Sequence, residues 1–227
     1  MKEFDKNLIN HVKQVSQWRS LPQFHKNYLP IIKNKYNFIP KTIYDIGSCV
    51  LQWTYEAKDI WPDSEIILFD ATDIFEPLYK EEGYKYHIGV LSNESNKEVD
   101  FYQNNDLFAG NSYYKENTSV YNNSHIVKLK TETLNSVVKR NSFNLPDLIK
   151  MDVQGSELDV LLGSTDILNS CKHLIIELRH TEYNLGSPEK RVIVDYLSSI
   201  GFENQGLFCD NGPDGDYHFI NNELSIK

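Results

Sequence analysis

The stretch Asp147-Leu-Ile-Lys-Met-Asp-Val-Gln-Gly-Ser-Glu157, running on through Leu162-Gly163, constrains the fold more than any other part of the chain. A short apolar run, Leu148 to Met151, reads as a buried strand that ends on an acid, Asp152. A glycine turn at Gly155 follows, and a helix then opens with Glu157 in its first turn. Carboxylates placed where a parallel strand stops and a helix starts face the ligand crevice of an open α/β sheet. An earlier stretch, Thr42-Ile-Tyr-Asp-Ile-Gly-Ser48, repeats the order of apolar strand, acid and glycine.

The surrounding pattern supports such a sheet. Short apolar runs at Thr42–Ile46, Glu65–Phe69, Tyr86–Val90, Leu148–Asp152 and His173–Leu178 alternate with helical segments, which predicts a mostly parallel sheet with helices on both faces. The runs Val99–Gln103 and His125–Lys130 bracket a polar stretch from Asn104 to Ser124, long for a structureless loop and so functional or mobile. Thr131 is the expected N-cap of the next helix. Pro188 is expected to start a helix through Leu197 that Gly201 ends, before closing strands at Phe202–Phe208 and Tyr217–Ile220. Residues 1–38, with helical spacing at Leu8, Val12, Val15 and Trp18 and punctuation at Pro22 and Pro30, form an expected helical cap on a main domain of residues 39–227. That segment is either a structural cap, a lid or a dimer contact.

At 227 residues with a net charge of −9, from 23 basic and 32 acidic residues, the chain repels phosphate backbones, so no nucleic-acid partner is expected. Cys49, Cys171 and Cys209 are too widely spaced for a zinc motif and read as small buried hydrophobes in a reducing compartment. No apolar run approaches a membrane span and the N-terminus lacks a signal-peptide core, so a soluble cytoplasmic protein is expected. The oligomeric state stays open.

Asp45 and Gly47 end the first strand and Asp70 ends the second. An acid some twenty residues beyond the glycine turn is placed to bind ribose hydroxyls. A dinucleotide would also need the second and third glycines of G-x-G-x-x-G, and here the run is Gly47-Ser-Cys-Val-Leu-Gln. S-adenosylmethionine carries no phosphate, and its sulfonium benefits from carboxylates such as Asp45 and Asp152. The residues therefore favour S-adenosylmethionine over a nicotinamide cofactor, with a strand-end acid that merely caps a helix as the plainer reading of Asp45.

These residues resemble the FkbM family of S-adenosylmethionine-dependent methyltransferases, over roughly Thr42 to Ile220. The resemblance is carried by Tyr44-Asp-Ile-Gly47, Leu68-Phe-Asp70, Val90-Leu-Ser-Asn93, Lys130-Thr-Glu-Thr-Leu134, Ile175-Ile-Glu-Leu-Arg-His180 and above all Asp147–Glu157. It implies a class I methyltransferase sheet: an α/β, Rossmann-like fold of seven strands whose last hairpin is antiparallel. It also implies O-methylation of a hydroxyl, often on a sugar, so that the partner is a small-molecule or glycan acceptor. Carried over to this chain, the cofactor would be surrounded by Asp45, Gly47, Ser48, Asp70, Ala71, Leu91 and Asp152. Three departures stand out. Leu51 replaces the second glycine and is expected to crowd the methionine end of the cofactor. Asp70-Ala71 replaces Glu-Pro, and Gln154 replaces Glu in the signature.

Transfer to a hydroxyl needs a base within hydrogen-bond reach of the acceptor oxygen. The candidates are Asp152, Glu157, His180 and His125. Glu157 is equally explained by the helix macrodipole. His180 would serve if Glu177, three residues earlier, orients it, and is otherwise an ordinary satisfied histidine. Lys150, a charge inside a buried strand, requires a partner. The loop Asn111-Ser-Tyr-Tyr-Lys-Glu-Asn117 suits sugar hydroxyls or is simply solvated. No metal-ligand spacing is present. A non-catalytic binding module on a degenerate methyltransferase fold is the competing reading.

Overall fold

The computed structural model describes residues 6–17, 21–104, 107–122 and 124–225. Two N-terminal helices, α1 (Lys6–Gln17) and α2 (Gln23–Lys35), lead into β1 (Thr42–Ile46), α3 (Gln52–Ile60), β2 (Glu65–Asp70), α4 (Glu76–Glu81) and β3 (Lys85–Ile88). Then come β4 (Val90–Leu91), β5 (Glu98–Gln103), β6 (His125–Glu132), α5 (Leu134–Asn141), β7 (Leu148–Met151), α6 (Glu157–Leu162) and α7 (Thr165–Leu168). The chain closes with β8 (His173–Arg179), α8 (Lys190–Ser199), β9 (Phe202–Asp210), β10 (Asp214–Asn221) and α9 (Asn222–Ser225).

The main sheet has seven strands in the order β3-β2-β1-β7-β8-β10-β9. All pair in parallel except β10, which is antiparallel to both neighbours. This is the expected class I methyltransferase sheet. The strand order reverses between β1 and β7, and ligands of open α/β sheets bind beyond the strand ends at such a point. A separate three-stranded sheet, β4-β6-β5, pairs the two runs that flank the polar stretch.

Strand alternation sorts the core into two layers. Tyr44, Ile46, Ile149, Met151, Leu174 and Ile176 join one cluster with α5, α6 and α8. Ile43, Leu148 and Ile175 join the other, with Leu29 and Ile32 of α2 and Trp53 of α3. The same alternation puts Asp45, Lys150 and Glu177 on the α2–α3 face. Asp45 is in register with Lys150, and Asp216 with Glu177. A row of charged side chains thus crosses the sheet near the strand ends.

Three local expectations are corrected. The N-cap of α5 is Thr133, whose side chain accepts from Ser136 N. Thr131 still lies in β6 and donates to Glu94 O. Pro30 sits inside α2 rather than between helices. The strand expected at Tyr86–Val90 is split into β3 and β4, which belong to different sheets. Trp18, expected to continue the apolar stripe of α1, lies outside the described residues. No helix among those described is long and apolar enough to cross a membrane.

Candidate functional site

A cavity of about 270 Å³ opens above the β1 and β7 strand ends. Gly47, Ser48, Cys49 and Val50 form its floor after β1, with Asp70, Ala71 and Thr72 after β2 and Asp152, Val153 and Gln154 after β7. Val90, Leu91, Trp53, Lys150 and Glu177 complete the wall, and Asn111, Ser112 and Tyr113 from the polar stretch reach its rim. Six of the expected cofactor residues, Gly47, Ser48, Asp70, Ala71, Leu91 and Asp152, therefore meet in one place.

Asp70 is fixed by the backbone. One oxygen accepts from Cys49 N at 2.9 Å and the other from Thr72 N at 2.8 Å. Each carboxylate oxygen keeps a further lone pair for a hydroxyl donor. Burial pushes the Asp70 carboxyl up to about 6, and the two N–H donors pull against that rise.

The other end of the cavity carries a connected set of charges. Lys150 Nζ donates to Asp152 Oδ2 at 3.1 Å, which supplies the partner that a buried lysine requires. Gln154 Nε2 donates at 2.7 Å to both Asp152 Oδ1 and Glu177 Oε2. The amide donates to both acids without adding charge, whereas an ionised Glu at position 154 would place a third negative group between them. The substitution that departs from the family signature thus ties the two acids together. Burial alone would raise Asp152, but the Lys150 ammonium and the Gln154 amide outweigh it and hold Asp152 below the usual carboxylate range. Glu177 goes the other way: burial, then Asp152, Asp214 and Asp216, raise it well above its ordinary value.

Asp45 does not line the cavity. It lies fully buried beneath the floor, where Thr54 Oγ1 donates to its Oδ2 at 2.5 Å and its Oδ1 has no partner. Burial raises its carboxyl and Lys150 opposes the rise. Leu51 does not crowd the cavity either. Its φ of +67° keeps the left-handed backbone that a glycine would favour, while its side chain turns fully into the core. The reading as a degenerate, non-catalytic module loses its main support at that residue.

His180 also falls elsewhere. Its Nε2 lies 3.0 Å from Tyr217 Oη and its Nδ1 3.3 Å from Gly212 O, outside the cavity. Strand β8 ends at Arg179, and His180 beyond it turns to Tyr217 and Gly212 while Glu177 lines the cavity, so the two do not share one crevice. His125 pairs with Gln103 on the small sheet, also away from the cavity.

Glu157 closes the β7–α6 turn rather than the cavity wall. Its Oε1 accepts from Val153 N and Gly155 N at 3.1 and 3.2 Å. Burial pushes its carboxyl from 4.5 up to about 7, although these donors oppose the shift. The native state then binds more protons than the unfolded chain between those two values, so this group makes stability fall as pH climbs through that window. Glu157→Gln keeps the acceptor oxygen and removes the titration. Urea unfolding at pH 5 and pH 8 is expected to show the wild type losing about 3 kcal/mol relative to the variant; parallel pH profiles would refute the assignment.

Two wall residues had no site role assigned from the sequence. Gln154 stood out there only as a lost charge. Trp53 gave no signal, yet its buried indole N–H has no partner in the protein and it lines the cavity. The charged side chains of the wall are Asp70, Asp152, Glu177 and one paired lysine, an excess of acid that suits a cationic sulfonium and ribose hydroxyls and repels a pyrophosphate.

A sheet of this order, with a cavity at its reversal point, is the class I methyltransferase fold. The model of the methyltransferase FkbM domain matches residues 45–204, and the chain belongs to that family. Its cofactor is S-adenosylmethionine, and the donor set just described fits that group. Comparison with curated protein sequences found no match. Among solved structures, the chain is similar to magnesium protoporphyrin IX methyltransferase from Synechocystis PCC 6803 with bound SAM, at 8% identity over 96% of this chain and 86% of that one, with a TM-score of 0.49. It is also similar to a SAM dependent methyltransferase from Aquifex aeolicus, at 13% identity over 96% of this chain and 100% of that one, with a TM-score of 0.46. Human N-acetylserotonin methyltransferase in complex with SAM shares 11% identity over 95% of this chain, with a TM-score of 0.42, and the chain spans 59% of its length.

Proposed function

We propose that the protein transfers a methyl group from S-adenosylmethionine to a hydroxyl of a sugar, on a glycan or a glycosylated small molecule. One observation carries this reading: the cavity that Asp70 lines also holds two carboxyls of opposite protonation preference, Asp152 and Glu177, bridged by Gln154. When bound, the cofactor supplies an electrophilic methyl group on a cationic sulfur. Asp70 would accept hydrogen bonds from the ribose hydroxyls, with Gly47, Ser48, Ala71 and Leu91 as the adjoining wall. Asn111, Ser112 and Tyr113 offer amide, hydroxyl and aromatic surfaces to the acceptor ring. Residues 1–38 act as a cap on the methyltransferase domain, since Leu21 reaches the cavity wall just before α2.

In this scheme Asp152 stays ionised beside Lys150 and orients the acceptor hydroxyl. Glu177 gives up its proton at a higher pH than an ordinary glutamate, and its ionised form is the stronger base of the two. It would take the hydroxyl proton as the methyl carbon bonds to that oxygen and its bond to the sulfonium sulfur breaks, the sulfur leaving as the neutral thioether of S-adenosylhomocysteine. Turnover at saturating cofactor is therefore expected to rise with pH through a range above that of ordinary carboxylates. Glu177→Gln should lose this rising limb and about 10²–10⁴-fold in kcat, the usual worth of a general base. Titration with S-adenosylhomocysteine should give equal affinities for the two proteins. Assay against sugar, phenol and amine acceptors reads the substrate class, and methyl incorporation only at amines would end the hydroxyl reading.

A further inference from the structure

We propose that His25, Cys209 and Asp216 form a zinc site that clips helix α2 to the β9–β10 hairpin. One ligand atom from each residue lies within 4.8 Å of the others, and all three residues are buried. Cys209 and Asp216 face each other across the β9–β10 hairpin, and His25 of α2 meets them from 191 positions before Asp216. His25 Nε2 is 2.8 Å from Asp216 Oδ2, and His25 Nδ1 is buried with no partner, so the protein alone leaves this imidazole half satisfied. Asn211 adjoins the group: its Oδ1 accepts from Cys209 Sγ at 3.3 Å and its Nδ2 lies 3.4 Å from Asp216 Oδ2. Asn211 is exposed, so the cluster has a route to solvent and a place for a fourth oxygen ligand, from Asn211 or a water.

The ligand chemistry selects the metal. A sulfur, an imidazole nitrogen and a carboxylate oxygen form a borderline-soft set that suits Zn²⁺ and is foreign to Mg²⁺ or Ca²⁺, which take oxygen. Charge points the same way. Asp216 belongs to the row that holds Asp45, Lys150 and Glu177, and Lys150 is shared among those acids and Asp152. A divalent ion held by one thiolate and one carboxylate is locally neutral. A thiol binds a metal ion as the thiolate. Metal uptake must therefore release the Cys209 proton, with Sγ and Asp216 Oδ closing on the ion.

The site would hold α2 against the hairpin and so fix Leu21, which lies just ahead of α2 in the cavity wall. This inference does not depend on the methyl acceptor.

The test uses the full chain. After chelator treatment and reloading with zinc sulfate, metal analysis should find one zinc per chain, and the loaded protein should melt at a higher temperature than the stripped one. Zinc X-ray absorption should show a single sulfur at about 2.3 Å beside lighter ligands. Cobalt loading should produce a thiolate charge-transfer band that survives in Cys171→Ser and disappears in Cys209→Ser. His25→Gln should weaken zinc by more than the about 10–100-fold that follows loss of an outer partner. The proposal fails if stripped wild type takes up no zinc and its melting is unmoved. It fails equally if the absorption spectrum lacks sulfur, or if the cobalt band persists in Cys209→Ser. The two wild-type readouts decide the matter even where a variant does not fold.

Discussion

Lys150→Met is expected to remove about 3–5 kcal/mol of stability, the range found when one partner of a buried ion pair is deleted. The lysine is 5% exposed, its Nζ lies 3.1 Å from Asp152 Oδ2, and it is in register with Asp45. Burial works against its charge, but Asp152, Asp45, Asp216 and Glu177 together raise its pKa, so the ammonium persists. A methionine of similar length fills the space and supplies no charge. Asp152 would then lose the main influence that keeps it ionised, and Asp45 would sit under the cavity with Thr54 alone. The double variant Lys150→Met, Asp152→Asn removes both members of the ion pair, leaves no unpaired Asp152 charge in the cavity wall and should recover much of the loss. Urea unfolding of both variants at pH 7 measures the two steps. A single variant as stable as the wild type would show that Lys150 does not hold the acid row together.

Gly47→Ala is the second large effect, and it acts through the backbone. Gly47 has φ +83°, and a Cβ built there would overlap the carbonyl oxygen of Asp152. The left-handed conformation alone costs an L-residue roughly 1–2 kcal/mol. The overlap adds to this because neither partner is a side chain that can swing away. The β1 and β7 ends must part, and Asp152 is carried off its positions against Lys150 and Gln154. The expected result is a loss of about 3–5 kcal/mol and a drop of about 100-fold in turnover, as for a displacement of about 1 Å in a positioned group. Gly83→Ala separates the two contributions, because Gly83 has φ +75° and open space around it. That control should show the left-handed penalty alone. Equal losses in both variants would mean that the approach to Asp152 contributes nothing.

Much of the fold was legible because its signals are local. Strand β1 spans Thr42–Ile46 as its apolar run indicates, and β7, β8 and the closing hairpin fall within a few residues of their expected bounds. Asp70 and Asp152 stand at strand ends in the sequence and line the cavity in the structure. The errors have a common origin, in that each depends on which face or which distant neighbour a residue meets. Glu177 and His180 look like one pair in sequence, but β8 ends between them at Arg179 and His180 turns away to Tyr217. Leu51 breaks a glycine motif, yet it adopts the glycine's backbone and buries its side chain on the far side of the turn. Thr131 and Thr133 are equally good caps by composition, and the length of β6 chooses between them.

By itself the sequence determined the alternation of strands and helices, the two acids at the cofactor end of the sheet and the family, because hydrophobic period, glycine turns and a contiguous signature are written over a few adjacent residues. Only the tertiary structure decided that Gln154 bridges Asp152 to Glu177, that Asp45 lies beneath the floor, and that His25 meets Asp216 across 191 positions of chain. Those contacts depend on strand register and on how helix α2 lies across the sheet, and both are set by packing between segments that share no local pattern.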